Sequence, residues 1–373
     1  MAHQLSVKFC KTCLMPNTRP RITFNSDGIC NACITAANKV HIDWEKRKQL
    51  LLNIVDEHRG IHPYYDCVVP WSGGKDSSSV ALKLKLDLGL NPLLVTFSPL
   101  IPTEVGNHNR EALLQAGIDS IFIRPNQMVS RELTRRFFIE RGNPKVHWDA
   151  GVNAVPMQIA LKYGIPLVFY AEHGESEYGG HILDEKNLMI RDLAEVLEHQ
   201  IGDDSMNWVT KNIREKDLAP YLYPEVKALE KTGTKAVYFA YFFPWDVLDN
   251  YHYVKEKIDF RTAENRTCGT FSNYDSLDDK MDDLYYYMQY IKFGFGRCAR
   301  DTSRVIYRNK MTRAEALRLS RMYEGEFPEK TIDAALDYMK MTKGEFNEIV
   351  DKHREEWIWT KINGNWKLKN PIS

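Results

Sequence analysis

The sequence predicts an α/β protein on a doubly wound parallel sheet, with a small cysteine module before it and a mostly helical region after it. Three observations predict this. Short apolar runs alternate with helix-patterned segments from about residue 67 to residue 170, the signature of strands joined by crossover helices. The first run, Cys67-Val68-Val69-Pro70-Trp71, leads directly into the glycine-rich turn Ser72-Gly73-Gly74-Lys75-Asp76-Ser77. Two Cys-x2-Cys pairs stand ahead of that alternation, and helical patterning runs on from about residue 276 to Trp357.

Taken in order, residues 41–62 read as a charged amphipathic helix with Trp44, Leu51, Ile54 and Val55 on its apolar side. A helix from about Asp76 to Leu88 follows the glycine turn. Leu93–Phe97 is a second strand, Glu104–Ala116 a helix ended by Gly117, and Ser120–Ile123 a third strand. Helices over about Val129–Arg141 and Val152–Lys162 precede a fourth strand, Leu167–Tyr170. Continuous rather than alternating apolarity suits strands covered on both faces. Residues 181–235 break the pattern with charge and with Pro220, Pro224 and Gly233, and read as a helical insertion, a lid over the site. Ala236–Phe243 is a late strand, and the tail from 358 is irregular or a hairpin around Asn363-Gly364. This divides the chain into a cysteine module (1–40), an α/β domain (41–260, with the insertion at about 181–235) and a helical C-terminal region (261–373).

Bulk properties narrow the function classes. A length of 373 residues with 43% apolar content suffices for a large buried core. Lys+Arg and Asp+Glu are both 50, so the basic excess of a nucleic-acid-wrapping protein is missing. No stretch has the length and apolarity of a membrane span, and Met1-Ala2-His3-Gln4-Leu5 lacks the apolar core of a signal peptide, so the expectation is a cytoplasmic protein. Seven cysteines there are not expected to pair as disulfides.

The 72–77 turn carries the chemistry. A strand, a glycine turn and a helix start aim backbone N–H groups at an anion. Gly73 and Gly74 let the backbone approach a phosphate, Ser72 and Ser77 offer hydroxyls, and Lys75 offers a charge. Asp76 makes sense beside phosphates if Mg2+ lies between them. The bland reading is an ordinary strand–turn–helix link. Cys10-x2-Cys13 and Cys30-x2-Cys33, sixteen residues apart, have the spacing of a four-thiolate zinc site, closed and therefore structural; an iron–sulfur cluster is the alternative. Cys67, Cys268 and Cys298 read as buried small residues.

Two further stretches are candidates. After the fourth strand, Glu172-His173-Gly174-Glu175-Ser176-Glu177-Tyr178-Gly179-Gly180 concentrates carboxylates and glycines where ligands bind in such sheets. Glu175 and Glu177 are the preferred residues there, for magnesium or the acceptor, against a solvated capping loop as the plain reading. Between Arg261 and Lys280, Arg266, Asn273 and Tyr274 are candidate substrate contacts, with a structural turn before a capped helix as the equal alternative.

The 72–77 string is not a Walker A loop; it resembles the pyrophosphate loop (SGGxDS, PP-loop) of the N-type ATP pyrophosphatases, which split ATP to AMP and pyrophosphate. Further features resemble the bacterial N-acetyl sugar amidotransferases of surface-polysaccharide and flagellar-sugar biosynthesis. They are Phe9–Pro20 with Gly28–Cys33, Asp43-Trp44, Thr103 with Gly106 and Asn109, Glu177–Gly180, Gly269-Thr270, and Asn273-Tyr274 with Ser276–Lys280. The resemblance spans nearly the whole chain. It implies an adenine nucleotide α-hydrolase-like sheet, the cofactors ATP and Mg2+ with structural Zn2+, and conversion of a sugar acetamido group to an acetamidino group in O-antigen or related glycan synthesis. Adenylation of the amide oxygen would be followed by displacement of AMP by ammonia, with Lys75 and Asp76 on the phosphate side and Glu175 and Glu177 opposite. The acceptor would be a nucleotide-linked acetamido sugar or a nonulosonic acid. No glutaminase-like cysteine is evident, so a separate glutaminase and ammonia-channel subunit, similar to the histidine-pathway pair, would supply ammonia. The competing readings are a tRNA-modifying PP-loop enzyme of thiolation or lysidine type, which would recruit Cys268 or Cys298, and a non-catalytic nucleotide- or zinc-binding protein.

Overall fold

The computed structural model describes residues 6–180, 188–191, 196–197 and 201–373. Strands β1 (Cys67–Pro70), β2 (Pro92–Phe97), β3 (Asp119–Ile123), β4 (Leu167–Tyr170) and β5 (Lys235–Tyr238) form one parallel sheet in the order β3-β2-β1-β4-β5. The chain builds outward from β1 through β2 to β3, then returns to add β4 and β5 on the other side. The reversal lies between β1 and β4, and there a crevice opens beyond the carboxyl ends of the strands.

Period-2 alternation serves two cores. Val68, Leu93, Val95, Phe97, Val168 and Tyr170 face helices α5 (Gln127–Arg141) and α6 (Val146–Tyr163). Val69, Leu94, Leu167, Phe169 and Val237 face the other layer, which includes α2 (Trp44–His58) and α3 (Lys75–Leu82). The doubly wound arrangement is thus present. Boundaries differ where packing overrides pattern. The helix from the glycine turn is α-helical only to Leu82 and widens into a π-turn over Lys83–Asp87. Helix α6 begins six residues before Val152 because it is buried on several sides and shows no polar stripe to mark its start. Strand β5 ends at Tyr238, and Phe239–Tyr241 form a 3-10 turn.

The expected insertion falls partly on 181–187, 192–195 and 198–200, which lie outside the described residues. From residue 201 onward it is built into the core rather than laid over the crevice. Trp208 meets Phe137 edge-on at 5.0 Å, and Tyr221 meets Phe97 at 5.9 Å. Helix α8 (Val226–Thr232) leads into β5, and α9 (Val247–Lys257) packs against α3.

Helices α10 (Met281–Phe293), α11 (Arg297–Ile306), α12 (Arg313–Tyr323), α13 (Ile332–Met339) and α14 (Lys343–Lys352) follow. The tail is the antiparallel hairpin β6 (Trp359–Ile362) and β7 (Asn365–Leu368), turning at Asn363-Gly364. No helix among the described residues is long and apolar enough to cross a membrane.

The cysteine module, which includes α1 (Asn31–Asn38), packs Leu14, Met15, Ile22 and Ala32 against Phe295, Ala299, Ile306 and Ala316 of the C-terminal helices. Arg313 reaches the carbonyls of Cys10 and Cys13, and the Ser303 hydroxyl accepts from Leu14 N–H. N- and C-terminal regions are therefore joined around the α/β layer.

Candidate functional site

Strand β1 ends at Pro70, and the chain turns through Ser72-Gly73-Gly74 into α3. Gly73 sits at φ +101°, and a Cβ there would lie 2.8 Å from Arg110 Cγ, so only glycine fits. Gly74 occupies the N-cap position with no side-chain cap on the helix. The neighbouring helices differ. Thr103 caps α4 (Glu104–Leu114), Asn126 caps α5, and Asp246 caps α9. The first N–H groups of α3 therefore remain available at the sheet's switch point, the arrangement that receives an anion.

They open onto a cavity of roughly 390 Å3. Its walls come from the turn, from Trp148, Asp149, Asn153 and Pro156 of α6, from Tyr170 and Glu172 at the end of β4, and from Tyr274–Asp278 with Asp282. Val95, Phe97, Trp148, Val152 and Pro156 give it an apolar side. Lys75 is only 3% exposed and is held between Asp76 at 2.7 Å and Asp275. Burial alone would lower its proton affinity, but Asp275 and Asp76 more than offset that, so Lys75 stays charged. Asp76 also accepts from the Asn250 side chain at 3.0 Å, which fixes its orientation.

The carboxylates opposite are unusual. Burial, with repulsion from Asp76, holds Glu172 up at about 7. Burial holds Asp149 at about 7, and burial with the Asp282 charge does the same for Asp278. Lys145 lies 3.6 Å from Asp279, pairs with Asp282, and sits 3.9 Å above the Trp148 ring. The far wall is set by Thr103, whose hydroxyl donates to the Leu277 carbonyl, and by Gly106, where a Cβ would lie 2.6 Å from Asp278 Cα. Asn109 exchanges two hydrogen bonds with the backbone of Arg261.

The residues singled out from sequence are distributed unevenly. Ser72, Gly74, Lys75, Asp76, Ser77 and Tyr274 line the cavity, and Gly73 is not among the lining residues. Glu175 and Glu177 do not. Glu175 lies 3.5 Å from Arg21 of the cysteine module, and Glu177 is clamped by Lys39 and by Arg308 at 2.6 Å. The short helix α7 (Gly174–Tyr178) rotates both outward, so Glu172, two residues beyond β4, is the carboxylate that meets the cavity. Arg266 is spent on a two-pronged pair with Glu326, at 2.6 and 2.7 Å, and Asn273 ties its own turn to Thr262 and Ala263. Neither is among the residues lining the cavity. Sequence reading passed over Asp149 and Asp275, and it noted Glu172 in its acidic stretch but preferred Glu175 and Glu177. The position of Glu172 directly after β4 was the available signal; Asp149 lay upstream of the expected helix start.

The four N-terminal cysteines converge. Their sulfurs all lie within 4.8 Å of one another, with Cys10–Cys33 at 3.9 Å and Cys13–Cys30 at 3.6 Å. A tetrahedral zinc thiolate site, with Zn–S near 2.3 Å, needs sulfurs about 3.8 Å apart. Cys10 Sγ accepts from the N–H groups of Thr12, Cys13 and Cys30, which supports a thiolate. The cluster is buried and can hold a metal ion such as zinc. Among the described residues it is the one group of three or more such ligands that converges, so the cavity carboxylates form no ready-made cage. Cys67 and Cys298 are buried, whereas Cys268 is half-buried.

The sheet and its switch-point cavity define an α/β protein whose glycine turn leaves a helix start uncapped at the cavity. Residues 268–372 match the family model described as LPS biosynthesis protein WbpG-like, C-terminal domain. That stretch supplies Asp275, Asp278 and Asp282 to the cavity wall and α11 and α12 to the cysteine module, and its likeness is to proteins of lipopolysaccharide biosynthesis. A search of the curated proteins found no match to the chain.

Proposed function

We propose that the chain is an ATP-dependent, AMP-forming amidotransferase that converts a sugar acetamido group to an acetamidino group in lipopolysaccharide or related glycan synthesis. One observation carries the reading: an uncapped helix start beside the buried, doubly paired Lys75 opens at the switch point into a cavity with an apolar side. The exposed N–H groups suit the β- and γ-phosphates of ATP, and the apolar side suits its base. The WbpG-like C-terminal match supports the glycan pathway, and the acidic wall speaks against a nucleic-acid acceptor.

The chemistry balances without an enzyme nucleophile. The acetamido oxygen attacks the α-phosphorus, pyrophosphate leaves, and an O-adenylyl imidate remains. Ammonia adds to the imidate carbon; AMP departs with the former amide oxygen, and one proton is released. Lys75 and the α3 N–H groups would bind the leaving pyrophosphate. Glu172, with a proton affinity near neutrality, is the candidate acceptor for the ammonia proton. Asp76, in the first turn of the uncapped helix, would hold a magnesium ion against the phosphates. When bound it would offset charge on the departing pyrophosphate. Zinc at the four cysteines would be structural, and ammonia would come from a separate glutaminase with its channel subunit.

The test is pyrophosphate release from ATP with ammonium and a panel of acetamido sugars. At least one sugar should stimulate release, and Asp76→Ala should abolish it. Release that survives Asp76→Ala removes the mechanism.

A further inference from the structure

The C-terminal region reaches the phosphate turn through one short stretch, Tyr274-Asp275-Ser276. The group it reaches is Lys75, at the start of α3. The Tyr274 ring lies 5.6 Å from the Lys75 ammonium and stacks at 5.0 Å on Tyr251 of α9. Asp275 pairs with that ammonium directly, and among the described residues its carboxylate has no other hydrogen-bond or ion-pair partner. Asp76 differs. Lys75 takes one of its oxygens at 2.7 Å, and the Asn250 amide holds the other at 3.0 Å. One ammonium thus serves two carboxylates, one anchored from behind and one not.

The backbone beneath Asp275 is braced on both sides. Arg297, 1% exposed, donates to the Asp275 carbonyl at 3.0 Å, and the Thr103 hydroxyl donates to the Leu277 carbonyl. Between those braces Ser276 stands at φ +52°, in the left-handed region that costs a residue with a side chain free energy. Its hydroxyl donates to Tyr286 at 3.1 Å. The surroundings therefore impose the shape of this turn, and what the strained shape delivers is a carboxylate at the one side-chain cation of residues 72–77. An anion entering the turn meets that carboxylate, because Asp275 lines the same cavity as Ser72, Gly74, Lys75 and Asp76. The first N–H groups of α3 attract a phosphate, whereas two carboxylates on one ammonium repel it. A phosphate complexed by a divalent cation meets less repulsion than a bare one.

We propose that Asp275 is a specificity-determining residue of the phosphate turn: it occupies the place on Lys75 that a phosphate oxygen takes, so the turn rejects bare phosphates and admits metal-complexed ones. Asp76 keeps its orientation through Asn250 when Lys75 turns to a phosphate, and Asp275, with no such anchor, is the carboxylate that yields. The inference deepens the proposed function and rests on that reading for the phosphate that enters the turn. It gives the C-terminal region, which supplies Asp275, a hold over what the crevice of the sheet binds.

Calorimetric binding of inorganic pyrophosphate to the full chain tests this without turnover. The wild type should bind pyrophosphate roughly tenfold or more tighter with magnesium than without divalent metal. Asp275→Asn should tighten metal-free binding about tenfold, while Asp275→Glu, which keeps the charge, stays near wild type. The gain should vanish when Asp275→Asn is combined with Lys75→Gln, because the released ammonium is its source. A pair that served stability alone would lower the thermal midpoint of Asp275→Asn with no gain in binding. Wild-type binding that is absent or ignores magnesium overturns the proposal even if Asp275→Asn fails to fold. So does metal-free binding that Asp275→Asn leaves unchanged or weakens. Absence of sugar-stimulated pyrophosphate release would remove the amidotransfer reading alone and leave these binding results standing.

Discussion

Two glycine-rich, acidic loops leave the carboxyl ends of neighbouring strands, Ser72–Ser77 after β1 and Glu172–Gly180 after β4, and the fold uses them in opposite ways. The first keeps its glycines at the cavity and leaves a helix start uncapped. The second caps its own short helix through the His173 ring, which accepts from Ser176 N–H, and turns most of its charge away. Glu177 grips Lys39 and Arg308. Gly179, at φ +84°, lies so close to Ala32 that a Cβ would sit 2.4 Å from the alanine methyl. Arg19 and Asn31 bond the carbonyls of residues 178–180. One loop is therefore open toward the cavity, and the other is a seam that seats the cysteine module. Only Glu172, at the root of the second loop, belongs to both. Similar composition at similar places in a sheet does not imply similar duty; what a loop packs against decides it.

Paired substitutions probe the contrast. Glu177→Gln removes the shared partner of two mostly buried cations and should cost about 3–5 kcal/mol in unfolding. Asp76→Asn should cost less stability, because Lys75 keeps Asp275, yet slow pyrophosphate release by about 100-fold or more. Glu177→Gln slowing turnover as much as Asp76→Asn, with unchanged stability, would merge the two loops into one site. Gly179→Ala, with its φ and its contact on Ala32, should cost about 1–3 kcal/mol and expose the cysteine module to limited proteolysis. Unchanged proteolysis would mean the seam does not hold the module. A pH-dependent effect concerns Asp149, held at about 7 chiefly by burial. Its raised value adds stability in full below the ordinary carboxylate range near 4, lost as pH rises through about 7. Asp149→Asn should therefore gain on the wild type in thermal midpoint as pH rises from about 4 to about 7, with the gap level above that. A gap that does not change with pH would remove that assignment.

Much of the fold was legible because its signals are local. Strand–helix alternation, the Gly73-Gly74 turn and the paired cysteines each act within a few residues. Thr103, Gly106 and Asn109, noted through a family resemblance, turn out to brace the 261–278 wall rather than line the cavity. Less legible was the direction in which each carboxylate points. Glu175 and Glu177 are the more conspicuous residues of their loop, but α7 faces them toward basic groups far off in sequence, and Arg266 is absorbed by Glu326 in the same way.

By itself, then, the sequence determined the parallel sheet, the glycine turn into an uncapped helix and the converging thiols, since backbone sterics and short-range spacing suffice for these. Only the tertiary structure decided that Asp275 and Glu172 face Lys75 and Asp76 across the crevice, and that the Glu-Tyr-Gly-Gly turn is a seam held by Arg19, Lys39 and Arg308. Those pairings join residues about one hundred to two hundred positions apart, and no local pattern records which distant charge a side chain will meet.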